Sequence, residues 1–249
     1  MKEFFLYPIC KLLDIILPKR ILKGIPVLMY HSIREDNGYL SVSPSDFEQQ
    51  IKYLLHKGYQ NILPQDLLGK DLSYDRKIMI TFDDGFKDNY TVALLIFKKY
   101  NFTAAVFVIT GQINSPGKLT AEEINSLEEN GWLIANHFDS HHDLTELKSE
   151  EISQDFEIAR QKLSQLLINK ETANIVSYPH SRYNEKVIEA VKKAGVIMAF
   201  NGGNRYFRQG DSLFSISRIE ISQRVSFLKF KLILSPSFDL IKRIFNARN

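Results

Sequence analysis

Two carboxylates stand side by side in TFDDG, as Asp83 and Asp84, where the apolar run KIMITF stops at a glycine. Adjacent anions repel, and an apolar wall raises the cost of ionising either one. Some cationic group must offset them. The stretch WLIANHFDSHHDL offers His137 and His141, spaced i,i+4 directly after another apolar run. Two imidazoles and one carboxylate are a common ligand set for a catalytic zinc with an open position for water. A bound dication would neutralise one aspartate and lower the pKa of its neighbour, leaving a carboxylate free to act as a base. Zinc is the first expectation for this donor set, with cobalt, nickel or iron as alternatives. Singly, an Asp pair before a glycine is also a common turn, and a His pair a common surface feature. Their joint occurrence at two strand ends singles them out.

Such residues need a rigid scaffold, and the surrounding pattern supplies one. IPVLMYH (25–31), KIMITF, TAAVFVIT, WLIAN, ANIVSYP, VIMAF and FSISRIEI read as strands. Between them lie helix-like stretches: SPSDFEQQIKYLLHKG, NYTVALLIFKKY, TAEEINSLEENG, SEEISQDFEIARQKLSQLLI and NEKVIEAVKKAG. Pro44 opens one helix and Gly58 stops it, and a capping box of Thr120 and Glu123 opens another that closes on Gly131. His56, in a last turn, places a favourable charge at the negative end of its helix. The alternation predicts parallel β-α units and an α/β domain, in which ligands bind at the strand ends. One catalytic domain is expected over residues 25–221, between basic apolar segments at 1–24 and 222–249.

TFDDG followed by an H-x-x-S-H element (His137, Phe138, Asp139, Ser140, His141) resembles the NodB-like polysaccharide deacetylases of carbohydrate esterase family 4. IPVLMYHSI, SYPHSRYNE and RIEI look like the same family. The M-Y-H element is similar to the poly-N-acetylglucosamine deacetylase-like subgroup. The resemblance implies an irregular (β/α) barrel, with Asp83 as general base and Asp84, His137 and His141 as metal ligands. It implies hydrolysis of acetyl groups from N-acetylated amino sugars of a bacterial surface polysaccharide or its lipid-linked precursor. The family's late L-x-H histidine is missing, since no histidine follows His180, and His31 is offered as the general acid instead. The other reading of His31 is a buried strand-end histidine bonded to a backbone carbonyl. Where the family shows Pro-Tyr-Gly, this chain has Pro179, His180 and Ser181, so the His180 amide is the expected oxyanion donor. Tyr30, Tyr178 and Pro179 are carried over as substrate-binding positions. Val176 stands where some members carry a base-orienting arginine, for which Arg218 or Arg182 could substitute. Phe138 and His142 also depart from the common pattern. Two alternatives follow from these departures: a non-catalytic glycan-binding member, or a metal-dependent esterase or amidohydrolase for another acyl group.

Net charge is +3, distributed as +3 over residues 1–24, +5 over 222–249 and −5 between them. The basic residues do not track the motifs, which argues against nucleic acid. Lys11 and Asp14 interrupt the N-terminal apolar run and Pro8 and Pro18 punctuate it, which fits neither a secretory signal nor a membrane span. The ends are expected either to lie on a membrane surface or to pack as helices on the domain. With one cysteine, Cys10, no internal disulfide is available, and a cytoplasmic location is expected, peripheral on the inner membrane face. GQINSPGKL imitates a phosphate loop but fails in spacing, and no G-x-S-x-G, C-x-x-C or G-x-G-x-x-G occurs.

Overall fold

A computed structural model describes residues 2–36, 38–69 and 74–246. Its strands are β1 (Val27–Tyr30), β2 (Ser32–Ile33), β3 (Ser41–Val42), β4 (Gln60–Ile62), β5 (Lys77–Phe82), β6 (Ala105–Val108), β7 (Leu133–Asn136), β8 (Ile175–Ser177), β9 (Met198–Asn201), β10 (Ile216–Ser217) and β11 (Ile219–Glu220). The helices are α1 (Lys2–Ile16), α2 (Lys19–Leu22), α3 (Pro44–His56), α4 (Leu94–Tyr100), α5 (Ala121–Glu129), α6 (Ser149–Leu166), α7 (Glu185–Lys193), α8 (Phe227–Ile233) and α9 (Pro236–Asn246).

All the pairings in the main sheet are parallel, in the order β10-β9-β8-β7-β6-β5-β1-β11, with β4 added beside β5. The stretch FSISRIEI, expected as one strand, splits at Arg218. Its first half pairs with β9 and its second with β1, so the opposite edges of the sheet meet in one short segment. This seam nearly closes the irregular (β/α) barrel.

Period-two alternation sorts the side chains. Leu28, Tyr30, Ile78, Ile80, Phe82, Val106 and Ile134 point outward into the core beneath the helices. Val27, Met79, Ala105, Phe107, Leu133, Ala135, Ile175, Met198, Phe200 and Ile216 point inward and touch one another inside the barrel. A further cluster joins Val176 and Ala199 to Ile152 and Phe156 of α6 and Val187 and Val191 of α7.

Local signals set the helix boundaries. Ser43 caps α3 by accepting from the Asp46 amide at 3.1 Å. Thr120 and Glu123 exchange bonds of 3.0 and 3.2 Å at the start of α5. The stretch before α4 departs from expectation, because Asn89–Ala93 forms a π-helical turn. Asn89 is buried there and its side chain donates to the His31 carbonyl at 2.8 Å. α1 runs through Pro8 rather than breaking at it. It packs with α8 and α9: Asp14 accepts from Ser235 and Ser237, and Ser237 donates to the Cys10 carbonyl. Among the described residues, no helix is long and apolar enough to cross a membrane.

Candidate active site

The inward register that fills the barrel also builds the site at its C-terminal rim. Counting by twos from Val27, Met79, Leu133, Ile175 and Ile216 leads to His31, Asp83, His137, Ser177 and Arg218. Apolar positions become polar where the strands end. Arg218 lies over Phe107 and Phe200, at 5.3 and 5.9 Å from their ring centroids, and is fully buried. Its guanidinium grips Asp83 with two bonds of 2.6 and 2.7 Å. Ser177 accepts from Arg218 at 2.6 Å and donates to Asp83 at 3.1 Å. This is the bidentate geometry in which a planar guanidinium matches a carboxylate best.

Asp84 would face outward if the strand continued. Left-handed backbone at Asp84 (φ 70°) and Gly85 (φ 61°) instead turns its carboxylate over the barrel mouth. Lys118 holds that turn by donating to the Asp84 carbonyl at 3.0 Å while lying 3.8 Å from the Phe86 ring centroid. The Asp84 carboxylate reaches Nε2 of His137 and of His141, each at 3.4 Å. One ligand atom from each of the three lies within 4.8 Å of the others.

The His137–His141 spacing lies on a loop, not a helix. Phe138 (φ 62°) and His141 (φ 60°) turn that loop back on itself. Phe138 is buried against Phe156, and its amide donates to the Asn136 side chain at 2.7 Å. Asp155 of α6 accepts from the Asp139 and Ser140 amides, and Asp139 accepts from Thr110 and Lys162. Gly111 must be glycine here, because a Cβ would sit 2.5 Å from the Asp139 carbonyl oxygen. The His137 Nδ1 pairs with the Ser177 carbonyl at 2.8 Å, which leaves Nε2 free for a metal. Donor types, tautomer and convergence therefore fit a divalent cation at Asp84, His137 and His141.

Electrostatics follow from this packing. Burial pushes the Asp83 pKa up, but the Arg218 and His137 charges outweigh it and the net shift is downward. Asp84 is likewise raised by burial and pulled further down by His137, then by His31 and His141. Burial and the neighbouring His137 lower His141 to about 4. Burial also lowers His31, although Asp83 and Asp84 partly restore it.

His31 lies at the rim, and among the described residues its buried Nδ1 has no hydrogen-bond partner. It is therefore not tied through Nδ1 to a backbone carbonyl. Of the two arginines named from the sequence, Arg218 contacts Asp83, whereas Arg182 pairs with Asp143 at 2.6 Å. His180 adopts left-handed backbone (φ 55°), and its exposed ring centroid lies 4.5 Å from that of His141. Pro179 is buried in the turn before it. Tyr30 and Tyr178, carried over as substrate-binding positions, lie in the packing outside the barrel. Both occupy outward register positions and are fully buried. The Tyr30 hydroxyl donates to Gln50 and the Tyr178 hydroxyl to the Phe214 carbonyl, away from the aspartates. Sequence reading missed Ser177, Asn89 and Asp155, which act through backbone turns and cross-barrel contacts. The inward parity of Ser177 was the one available signal.

Comparison with known proteins gives concordant findings. A family model described as polysaccharide deacetylase matches residues 72–199. YxkH of Bacillus subtilis (strain 168), named as a polysaccharide deacetylase, is 33% identical over 207 residues, covering 81% of this chain and 73% of that protein. A poly-beta-1,6-N-acetyl-D-glucosamine N-deacetylase of Staphylococcus aureus (strain MRSA252) is 26% identical over 213 residues, covering 79% of this chain and 72% of that protein. Among solved structures, Streptococcus pyogenes deacetylase PplD in complex with acetate superposes with a TM-score of 0.76 at 25% identity, covering 88% of this chain and 97% of that one.

Proposed function

The chain belongs to the polysaccharide deacetylase family, whose members are hydrolases acting on amide bonds, and from that premise we propose that it is a metal-dependent N-deacetylase of N-acetylated amino-sugar polymers. The observation that carries this reading is the convergence of Asp84, His137 and His141 on one point beside an arginine-clamped Asp83. The name of the staphylococcal relative supports an N-acetylglucosamine polymer as the substrate class.

A divalent cation, zinc first among them, would be held by Asp84, His137 and His141 and would supply Lewis acidity toward the acetamide carbonyl. Asp83 is the base that removes a proton from the attacking water, a role worth roughly 10²–10⁴-fold. Arg218 and Ser177 orient it and keep it ionised. Water adds to the acetamide carbon, and the backbone amide of His180 is the oxyanion donor assigned in this reading. Pro179 and the left-handed His180 fix that turn. When the C–N bond breaks, His31 hands a proton to the departing amine and acetate is released.

The test is elemental analysis of purified protein, together with acetate release from N-acetylglucosamine oligomers and from an acetyl-ester panel. Near-stoichiometric metal with acetate released from the oligomers supports the reading. Ester cleavage alone would move the substrate to another acyl group. Metal-free protein that stays silent after incubation with divalent ions would overturn it.

A further inference from the structure

We infer that the face of the barrel opposite the catalytic residues docks onto an anionic lipid bilayer, with the headgroup phosphate entering a cationic cavity there. Two separate features carry this. The first is an apolar stripe on α1. Phe4, Phe5, Ile9, Leu12, Ile15 and Ile16 are all exposed, Ile15 to 81% and Phe4 to 73%. At 100° per residue they fall within an arc of about 140°. The opposite side of the helix carries Cys10 and Asp14, which pack on α8 and α9. Single exposed apolar residues are ordinary, but a continuous large apolar stripe on one helix marks an interaction surface.

The second feature is a cavity of about 1000 Å³ at the N-terminal ends of the strands. Gly24 and Pro26 before β1, Lys77 at the start of β5 and Leu213 before β10 all line it. Its cations are Lys11, Lys19, Lys23, Lys57, Arg76 and Lys77. Three carboxylates line it as well, Asp14, Asp75 and Asp211; Asp14 accepts from Ser235 and Ser237, and Asp211 from the Arg205 guanidinium and the Arg208 backbone amide. Lys77 and Arg76 rest on neutral oxygens, those of Gln60 and of the Lys57 backbone. Tyrosines and leucines form the remaining wall.

Ile15 belongs to both features, so the stripe and the cavity share an edge. Apolar residues rimmed by six cations against three carboxylates match the acyl boundary and phosphate layer of an anionic bilayer. They do not match a second copy of this chain, because a two-fold contact would set the same lysines against each other. α1 is too short and too polar on its inner side to cross, so it lies in the interface plane. β5 rises about 3.3 Å per residue, which places Asp83 roughly 20 Å above Lys77, with the catalytic rim facing away from the lipid.

The test is co-sedimentation of the full chain with vesicles of phosphatidylcholine alone and of phosphatidylcholine mixed with phosphatidylglycerol. The parent should pellet with the mixed vesicles and be released by salt. Lys19→Gln and Lys23→Gln should each cost about fivefold in partitioning, the weight of about 1 kcal/mol per basic residue near an anionic surface. Leu12→Gln with Ile16→Gln should abolish binding while leaving the circular dichroism melt unchanged, since both side chains are exposed. A parent that remains in the supernatant with both vesicles overturns the inference. So does equal binding by parent and apolar-face variant, or a dimer in sedimentation velocity that the same substitutions dissolve. Stabilisation by inorganic phosphate without vesicle binding would assign the cavity to a soluble anion and overturn the bilayer.

Discussion

Arg218 holds the Asp83 carboxylate with both terminal nitrogens from the single position between β10 and β11, where the barrel closes. Closure of the sheet and orientation of the base are therefore one contact. Its backbone takes part as well: the Arg218 amide donates to the Asn201 carbonyl at 2.9 Å and its carbonyl accepts from Asn204 at 2.8 Å.

Replacing Arg218 by Met leaves a buried carboxylate without its counter-charge, an error that costs about 3–5 kcal/mol. Urea unfolding of chelated protein should show the unfolding free energy fall by that amount and the midpoint fall with it, and the metal-loaded variant should lose turnover as well. An unchanged midpoint would mean that the seam does not depend on the ion pair.

The same pair sets an acid limit. Burial raises Asp83, but Arg218 and His137 lower it more, so its folded-state pKa lies below that of the unfolded chain. The carboxylate therefore stabilises the fold above the ordinary aspartate range, near pH ~4. That stability disappears as pH falls through the lower folded value. Stability of the metal-free parent should drop steeply on the acid side, and the slope should flatten in Asp83→Asn. Identical acid limbs in the two proteins would contradict the linkage.

Asp83→Asn should reduce acetate release by roughly 10²–10⁴-fold while metal content stays at the parent level. His31→Gln should do the same, because its Nδ1 has no hydrogen-bond partner among the described residues and it is not one of the metal-holding three. Elemental analysis alongside initial rates separates these proton-transfer roles from metal loss.

Ser177 works through two different atoms. Its hydroxyl bridges Arg218 and Asp83, while its carbonyl orients His137. Ser177→Ala removes only the first, and should cost about 1–3 kcal/mol of stability and slow turnover, with metal retained. Loss of metal in this variant would show that the hydroxyl also shapes the ligand loop.

A ligand that binds only the folded chain stabilises it by mass action, by about 2.7 kcal/mol at a hundredfold excess over its dissociation constant. Thermal denaturation with added zinc should therefore shift upward in the parent and stay fixed in Asp84→Ala and His137→Ala. A parent insensitive to every divalent ion tested would remove the metal from the proposal.

Much of the site was legible because its residues are rare types at strand ends. TFDDG and H-x-x-S-H stand out against any composition, and the strand-helix alternation around them allows few architectures. Arg218 was legible only as one of two candidates. Choosing it over Arg182 required knowing that residue 218 closes the barrel, while Asp143 draws Arg182 to the rim. The placement of Tyr30 and Tyr178 was not legible, for a reason of parity. Each sits next to a functional position in sequence, yet a one-residue step in a strand reverses the face, and both rings were drawn into the core.

The amino-acid sequence alone specified the parallel α/β order, the helix start at Pro44, the cap at Thr120, and the chemical types gathered at the rim. These follow from local spacing, which needs no distant partner. Tertiary structure decided which arginine meets Asp83 and where the strand 216–220 divides. It also decided how far Asp84 turns and that α1 both packs and leaves an apolar face open. Each of those depends on contacts between residues far apart in the chain, and the free energy of burying a charge or a ring is settled only when the partner arrives.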